Sequence, residues 1–332
     1  MELSSIGLGT YLGVPDAGTD AGYQAAALAF AQCGGNVFDT AANYRGGRSE
    51  RALGAAFQSL AREELFVSTK AGYLPMGDGV TAESPRDWFQ RVLAGPGVLA
   101  AEDLIDGCHA LTPAYLTHQL GVSLAALGLA RIDLFHLHNP EQQRPSLGPS
   151  RFRTVIRDAF AACEAQVAAG RIGAYGCATW NGFRVPPEAP EHLSLEDLLA
   201  DAEAVAGKDH HFRWIQLPLS LAMPEAFTRA TQRFGGNLMT PLAAARAAGI
   251  QVQASASLMQ AKLLSHLPAG DGALLPGCAT PAQAALQFVR SCPGVVTALC
   301  GMARPEHVRE NARVLQLPRL QMRELQALFE NE

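Results

Sequence analysis

Short apolar runs alternate with amphipathic segments along almost all of this 332-residue chain. That rhythm commits a protein to a parallel sheet covered by helices. Ile6-Gly7-Leu8-Gly9-Thr10 opens the series, and an Ala-rich helix is expected over residues 19–32. An apolar run to Asp39 follows, then a capped helix beginning at Ser49 and running over 49–60, with Glu50 in its first turn, then a run to Lys70. Thr112-Pro113 opens a helix that stops near Gly128, and a run to His138 comes next. The second half repeats the scheme: a helix over 154–169, a strand over 172–177, a helix from Ser194 with Asp197 as a partial cap, and a strand over 213–217. Helix 241–248, strand 251–255, helix 281–291, strand 295–300, helix 305–315 and a terminal helix over 321–329 complete it. About eight strand–helix units with no break in composition favour one domain over residues 1–332, closed into a (β/α)8 barrel. An open doubly wound sheet is the alternative.

Three successive strand ends carry Asp39, Lys70 and His138, and Tyr44 follows the first of them in a turn. In a parallel barrel such ends converge on one mouth, where chemistry is normally placed. A tyrosine is a weak acid with an ordinary pKa near 10, and a neighbouring ammonium lowers it. Lys70 can supply that ammonium, and Asp39 the counter-charge that a buried lysine needs. His138 can hydrogen-bond a carbonyl oxygen and orient it. Tyr44 then gives a proton to that oxygen as hydride reaches the carbon, or takes one from an alcohol in reverse.

The rest of the composition narrows the partners. A net charge of −5 without a basic run argues against nucleic acid and anionic membrane. Seven scattered cysteines without a CxxC argue for a reducing compartment and against a zinc site. No secretion signal or membrane span is evident, so a cytoplasmic protein with a small carbonyl or alcohol substrate is expected, and no metal. His136 shares strand parity with His138 and reads as a hydrogen-bonded barrel residue. His210-His211 reads as a solvated turn. Gly7-Leu8-Gly9-Thr10-Tyr11-Leu12-Gly13 reads as a tight strand end at the mouth, because its third glycine comes one residue too late for a dinucleotide fingerprint. Cys177 and Cys300 read as small buried residues.

The stretch Phe38-Asp39-Thr40-Ala41 to Tyr44, with Ser49-Glu50 and Leu53-Gly54, resembles the first signature of the aldo-keto reductase family. Thr69-Lys70 and His138-Asn139-Pro140 match its lysine and histidine positions in order. Pro305-Glu306-His307-Val308-Arg309-Glu310-Asn311 is similar to its segment over the adenosine end of the cofactor. The resemblance implies a (β/α)8 barrel and a nicotinamide dinucleotide, usually NADPH, with NADH as the other option. It places Gly9, Thr10, Thr179, Gln216, Ser255, Leu258, Gly301, Arg304, His307, Glu310 and Asn311 around that cofactor. Ala178 stands where the family commonly has a serine, and Ser255 where an aromatic residue usually stacks on the nicotinamide. Gly301 replaces a common phosphate-binding lysine, and Arg304 is the neighbouring cation. Asn139, Trp180 and Trp88 are expected to wall the substrate pocket, with loop anchoring the equal alternative for Trp88. Specificity is expected in the segments 72–111, 181–193 and 222–239.

Two competitors follow from the same residues. One is a cofactor-binding regulatory subunit similar to the β subunits of potassium channels, with little turnover. The other is a lyase or isomerase that uses Lys70 as a Schiff base, which an acid holding that lysine charged argues against.

Overall fold

The computed structural model describes residues 1–75, 83–266 and 275–329. Its strands are β1 (Ile6–Gly9), β2 (Val37–Asp39), β3 (Phe66–Ala71), β4 (Ile132–His138), β5 (Ile172–Ala178), β6 (Phe212–Pro218), a ribbon of β7 (Gln232–Phe234) and β8 (Asn237–Met239), β9 (Gln251–Ser255) and β10 (Val295–Gly301). All but the ribbon are parallel and close into a barrel in the order β1-β10-β9-β6-β5-β4-β3-β2. These strands are buried along nearly their whole length, as parallel strands under a helical shell must be. The expected (β/α)8 barrel is therefore the fold, and the open sheet is excluded by the β1–β10 pairing that closes the ring.

The helices are α1 (Ala17–Gln32), α2 (Arg48–Phe57), α3 (Pro85–Phe89), α4 (Pro113–Leu127), α5 (Arg144–Ala168), α6 (Leu195–Ala206), α7 (Glu225–Thr228), α8 (Pro241–Ala247), α9 (Pro281–Ser291), α10 (Pro305–Asn311) and α11 (Met322–Ala327). Local chemistry sets many of their ends. Thr112, Ser194, Thr240 and Thr280 each accept a first-turn backbone N–H, and Pro follows three of them at the first helical position. Gly128 ends α4 in the left-handed region, where it costs no Cβ clash. Gly54 lets α2 approach α4, because a Cβ there would lie 2.3 Å from the Ala126 carbonyl oxygen.

Several boundaries differ from the sequence expectation. The α2 helix starts at Arg48 after Gly47, and Ser49 is no cap: its hydroxyl donates to the Thr10 carbonyl at 2.7 Å, tying the helix to β1. The expected 154–169 helix reaches back to Arg144 across a break at Gly148, whose φ is 69°. The expected 305–315 helix divides into α10 and a 3₁₀ turn, Ala312–Gln316. The described part of 72–111 is structured. It holds α3, a π-helical turn over Gln90–Ala94 and a 3₁₀ turn over Ala101–Asp103, around a small core of Leu74, Leu93, Leu99, Ala110 and Tyr115. Residues 76–82 of that segment lie outside the described residues. Among the described residues no helix is long and apolar enough to cross a membrane.

Candidate active site

Strand register brings the predicted chemistry together. Asp39 at the end of β2 lies beside Ser68 of β3, and Lys70 lies beside His136 of β4. Lys70 Nζ donates to Asp39 Oδ2 at 2.6 Å and to the Thr40 carbonyl at 2.8 Å. Asp39 Oδ1 accepts from Ser68 Oγ at 2.8 Å and from Gln216 Nε2 at 3.0 Å. The pair is shielded from water, with 0% of the lysine side chain and 6% of the aspartate exposed. A buried ion pair is tolerable when its remaining hydrogen-bond capacity is met in this way. Beneath it Gln253 Oε1 takes a bond from Gln216 Nε2 at 2.9 Å and lies 3.1 Å from His136 Nε2. His136 is the hydrogen-bonded barrel residue that its strand parity predicts. Burial, then Lys70, push its pKa down to about 4.

Tyr44 opens a tight turn, Tyr44–Gly47, in which Arg45 takes φ 52°. That conformation is uncommon for a side-chain-bearing residue. Arg45 is held there by Nε to the Val14 carbonyl at 3.0 Å, and by Nη2 to the Asp16 carbonyl at 3.1 Å and to Asp20 at 2.6 Å. The turn sets the Tyr44 ring over Lys70, with Nζ 5.0 Å from the ring centroid. Burial raises the Tyr44 pKa, and the Lys70 charge and hydrogen bond lower it only part of the way back. Lys70 thus acts in the expected direction, but the net shift is upward because desolvation outweighs the ammonium. For Lys70 burial disfavours the charge, but Asp39 and then Tyr44 outweigh it and hold the lysine protonated.

His138 ends β4 with its ring edge-on to Tyr44, centroids 5.8 Å apart. Burial, then Lys70, then His109 and His136 push its pKa well below the imidazole range, so it is neutral. Its Nδ1 is buried without a partner among the described residues. The His138 carbonyl accepts from His109 Nε2 at 2.7 Å. Gly72 makes room for that contact, because a Cβ there would lie 2.7 Å from both atoms.

These groups open into a cavity of about 800 Å³ across the barrel mouth. It runs from Tyr73, His138 and Asn139 on one side to His307, Glu310 and Asn311 of α10 on the other. That volume is within the range of small-molecule and cofactor sites.

Residues 5–189 match the model of the aldo/keto reductase family. The chain belongs to that family. A protein named as a voltage-gated potassium channel subunit beta, from Schizosaccharomyces pombe, is 24% identical over 95% of this chain and 86% of its own length. An NADH-specific methylglyoxal reductase of Escherichia coli is 30% identical over 44% of this chain and 38% of its own. The solved aldo/keto reductase of Klebsiella pneumoniae in complex with NADP and acetate superposes with a TM-score of 0.66 at 22% identity. It covers 98% of this chain and 90% of its own, and at that identity it speaks for the fold.

In this aldo/keto reductase most of the predicted cofactor residues line the one cavity: Gly9, Thr10, Thr179, Gln216, Ser255, Leu258, Gly301, His307, Glu310 and Asn311. Asn139 and Trp180 line it too, the latter half exposed at the rim. Two expected residues do not. Trp88 packs with the core of the 84–104 segment, on a separate small cleft between α2 and α4. The amphipathic turn of α3 uses it as an anchor. Arg304 is exposed at the start of α10 and outside the cavity lining. Gln216 has its amide nitrogen committed to Asp39 and Gln253, so only its oxygen remains for a ligand.

Other residues of this reductase site were not singled out from sequence. Tyr11 sits edge-on to Tyr44 at 5.0 Å, just past β1. Tyr73 lines the cavity three residues after Lys70, and Lys262 lines it beyond β9. Glu141 is buried, and its Oε1 accepts the backbone N–H groups of Trp180, Asn181 and Gly182 at 2.6, 3.1 and 3.4 Å, fixing the turn after β5. For Tyr11, Tyr73 and Glu141 a polar or aromatic residue within three positions of a strand end was the available signal, and Lys262, farther from β9, carried none. His210 is buried rather than solvated, and His211 bonds Glu164 at 2.8 Å.

Proposed function

We propose that this chain is an NADPH-dependent oxidoreductase that interconverts small carbonyl compounds and alcohols, with Tyr44 as general acid and base. One observation carries the proposal. A half-buried tyrosine lies over an ammonium locked by Asp39, beside a neutral histidine, in one cavity at the barrel mouth. A nicotinamide dinucleotide bound in that cavity supplies or accepts the hydride. The chain's residues fit such a group. Asn311 Oδ1 is buried without a partner among the described residues and lines the cavity. Gly9 and Gly301 leave the ends of β1 and β10 without side chains, so a ligand can lie against backbone. Thr179, Ser255, Leu258, His307, Glu310 and Asn311 are the residues to hold it, with Lys262 as the cation on the cavity wall for a 2′-phosphate.

The proton chemistry follows from the pKa directions. Tyr44 is a phenol at neutral pH, ready to donate to a carbonyl oxygen as hydride adds to the carbon. Neutral His138 hydrogen-bonds the same oxygen and sets its angle. Lys70 remains charged throughout and stabilises the phenolate left behind. A lysine locked in this way is a poor Schiff-base nucleophile. A second reading is a cofactor-binding regulatory subunit with little turnover, which the 95% coverage by the channel-subunit relative favours.

Tryptophan-fluorescence titration with NADPH and NADH, followed by turnover with simple aldehydes, tests both. NADPH-selective quenching with turnover in the absence of any partner protein supports the enzyme. Tight binding without turnover supports the regulatory subunit. In Tyr44→Phe, binding is expected to persist while turnover falls by about 100-fold or more. Retained turnover refutes the role of the phenol.

A further inference from the structure

Tyr73 is a second tyrosine at the reacting centre, and its hydroxyl has no part in the proton chemistry above. It sits two residues past Ala71, the last residue of β3, and is fixed on three sides. Its carbonyl accepts the Tyr115 hydroxyl at 2.8 Å. Its ring stands edge-on to His109 at 4.8 Å and to His138 at 5.0 Å, with interplanar angles of 79° and 89°. Its hydroxyl oxygen accepts from Asn139 Nδ2 at 3.1 Å. Asn139 is itself fixed, in the left-handed region with φ 48° and its backbone N–H on the Ala178 carbonyl at 2.6 Å.

That leaves one direction for the Tyr73 proton. With the oxygen receiving Asn139, no described residue is bonded to the O–H as acceptor. Burial raises the Tyr73 pKa, so the group keeps its proton. Tyr44 and Tyr73 each meet the His138 ring edge-on, at 5.8 Å and 5.0 Å, and all three line the same cavity. The carbonyl oxygen to be reduced belongs between Tyr44 and His138. An oxygen on the neighbouring carbon of the same substrate then falls on the Tyr73 side.

Resting on the function proposed above, we propose that Tyr73 is a specificity-determining residue that selects carbonyl substrates bearing an oxygen on the adjacent carbon, which its hydroxyl recognises as a hydrogen-bond acceptor. In the reaction the reduced cofactor gives hydride to the carbonyl carbon and is oxidised, and Tyr44 gives the proton to the carbonyl oxygen. The Tyr73 proton is not transferred. A substrate without the second oxygen covers the half-buried hydroxyl and leaves its proton without an acceptor, which is how a polar site rejects an apolar analogue.

Hydroxyacetone and butanone test this, since they differ by a hydroxyl in place of a methyl group. The wild type is expected to favour hydroxyacetone in kcat/KM, and Tyr73→Phe to lower that ratio about tenfold, the scale of one net neutral hydrogen bond. Asn139→Gly, which keeps the left-handed backbone and removes the amide, is expected to lower it in the same direction. Saturation-transfer NMR of propane-1,2-diol against butan-2-ol, on protein without added cofactor, gives a readout independent of turnover. The diol preference seen there is expected to vanish in Tyr73→Phe. A ratio and a binding preference both unchanged in Tyr73→Phe overturn the role of Tyr73 alone. No turnover by the wild type on either ketone, with a diol preference that Tyr73 still controls, overturns the proposed reaction and leaves the recognition standing.

Discussion

Replacing Asp39 by Asn changes one atom type at the most constrained point of the barrel. The carboxylate receives three donors: Lys70 Nζ at 2.6 Å on Oδ2, and Ser68 Oγ at 2.8 Å and Gln216 Nε2 at 3.0 Å on Oδ1. An asparagine must turn its NH2 toward one of these two sides. Toward Lys70 it opposes an ammonium, and toward Gln216 it opposes another amide N–H. In either orientation a buried donor faces a donor and Lys70 loses its counter-charge. Breaking a buried pair by removing one partner costs about 3–5 kcal/mol. An unfolding entropy of about 2.1 cal/mol/K per residue gives about 0.7 kcal/mol/K for 332 residues, so Tm should fall by about 4–7 °C. Calorimetry at neutral pH measures this directly.

The pH dependence sharpens the test. In the wild type Lys70 has a raised pKa in the fold, so its stabilising contribution is full below the ordinary lysine pKa and is lost as pH rises through the folded value. Without Asp39, burial dominates and the folded pKa falls below the ordinary one. The penalty is then full below that folded pKa and recovers as pH rises toward the ordinary value. The Tm deficit of Asp39→Asn should therefore be greater at pH 7 than at pH 10. A variant within 1 °C of the wild type at pH 7, or a deficit that grows toward pH 10, refutes the account of the pair.

Two further outcomes follow from the site. Because His138 is held neutral far below its ordinary pKa and Tyr44 titrates above its own, the pH profile of kcat/KM for carbonyl reduction should show no histidine inflection between pH 6 and 8 and should fall only on the alkaline side. A limb near the ordinary imidazole pKa would refute the neutral assignment. Trp88→Ala removes a partly buried anchor outside the cavity, so it should cost about 1–3 kcal/mol, or about 1–4 °C in Tm, and leave KM for substrate unchanged. A raised KM with unaltered Tm would return Trp88 to the substrate wall.

The sequence by itself determined the parallel barrel and the meeting of Asp39, Tyr44, Lys70 and His138 at its mouth. Both are written in local signals. Period, caps and strand-end chemistry repeat every few residues; Asp39 and His138 each close a strand, and Lys70 stands one residue before the end of its own. The strand at Gln251–Ser255 and the helix at Pro281–Ser291 needed nothing but pattern and a Thr-Pro start. Tertiary structure alone decided what depends on residues far apart in the chain. Gln216 lies 177 positions from Asp39 and spends its amide nitrogen there, which leaves only its oxygen for any ligand. Trp88 turns into its own small core because Leu74, Leu93 and Tyr115 fold over it. The phenol pKa rises because burial, a property of the whole packed mouth, outweighs the one charge that the sequence places beside it. A strand end can be read from its neighbours in the chain, but a desolvation energy or a shared amide cannot, because each is set by the atoms that folding brings into contact.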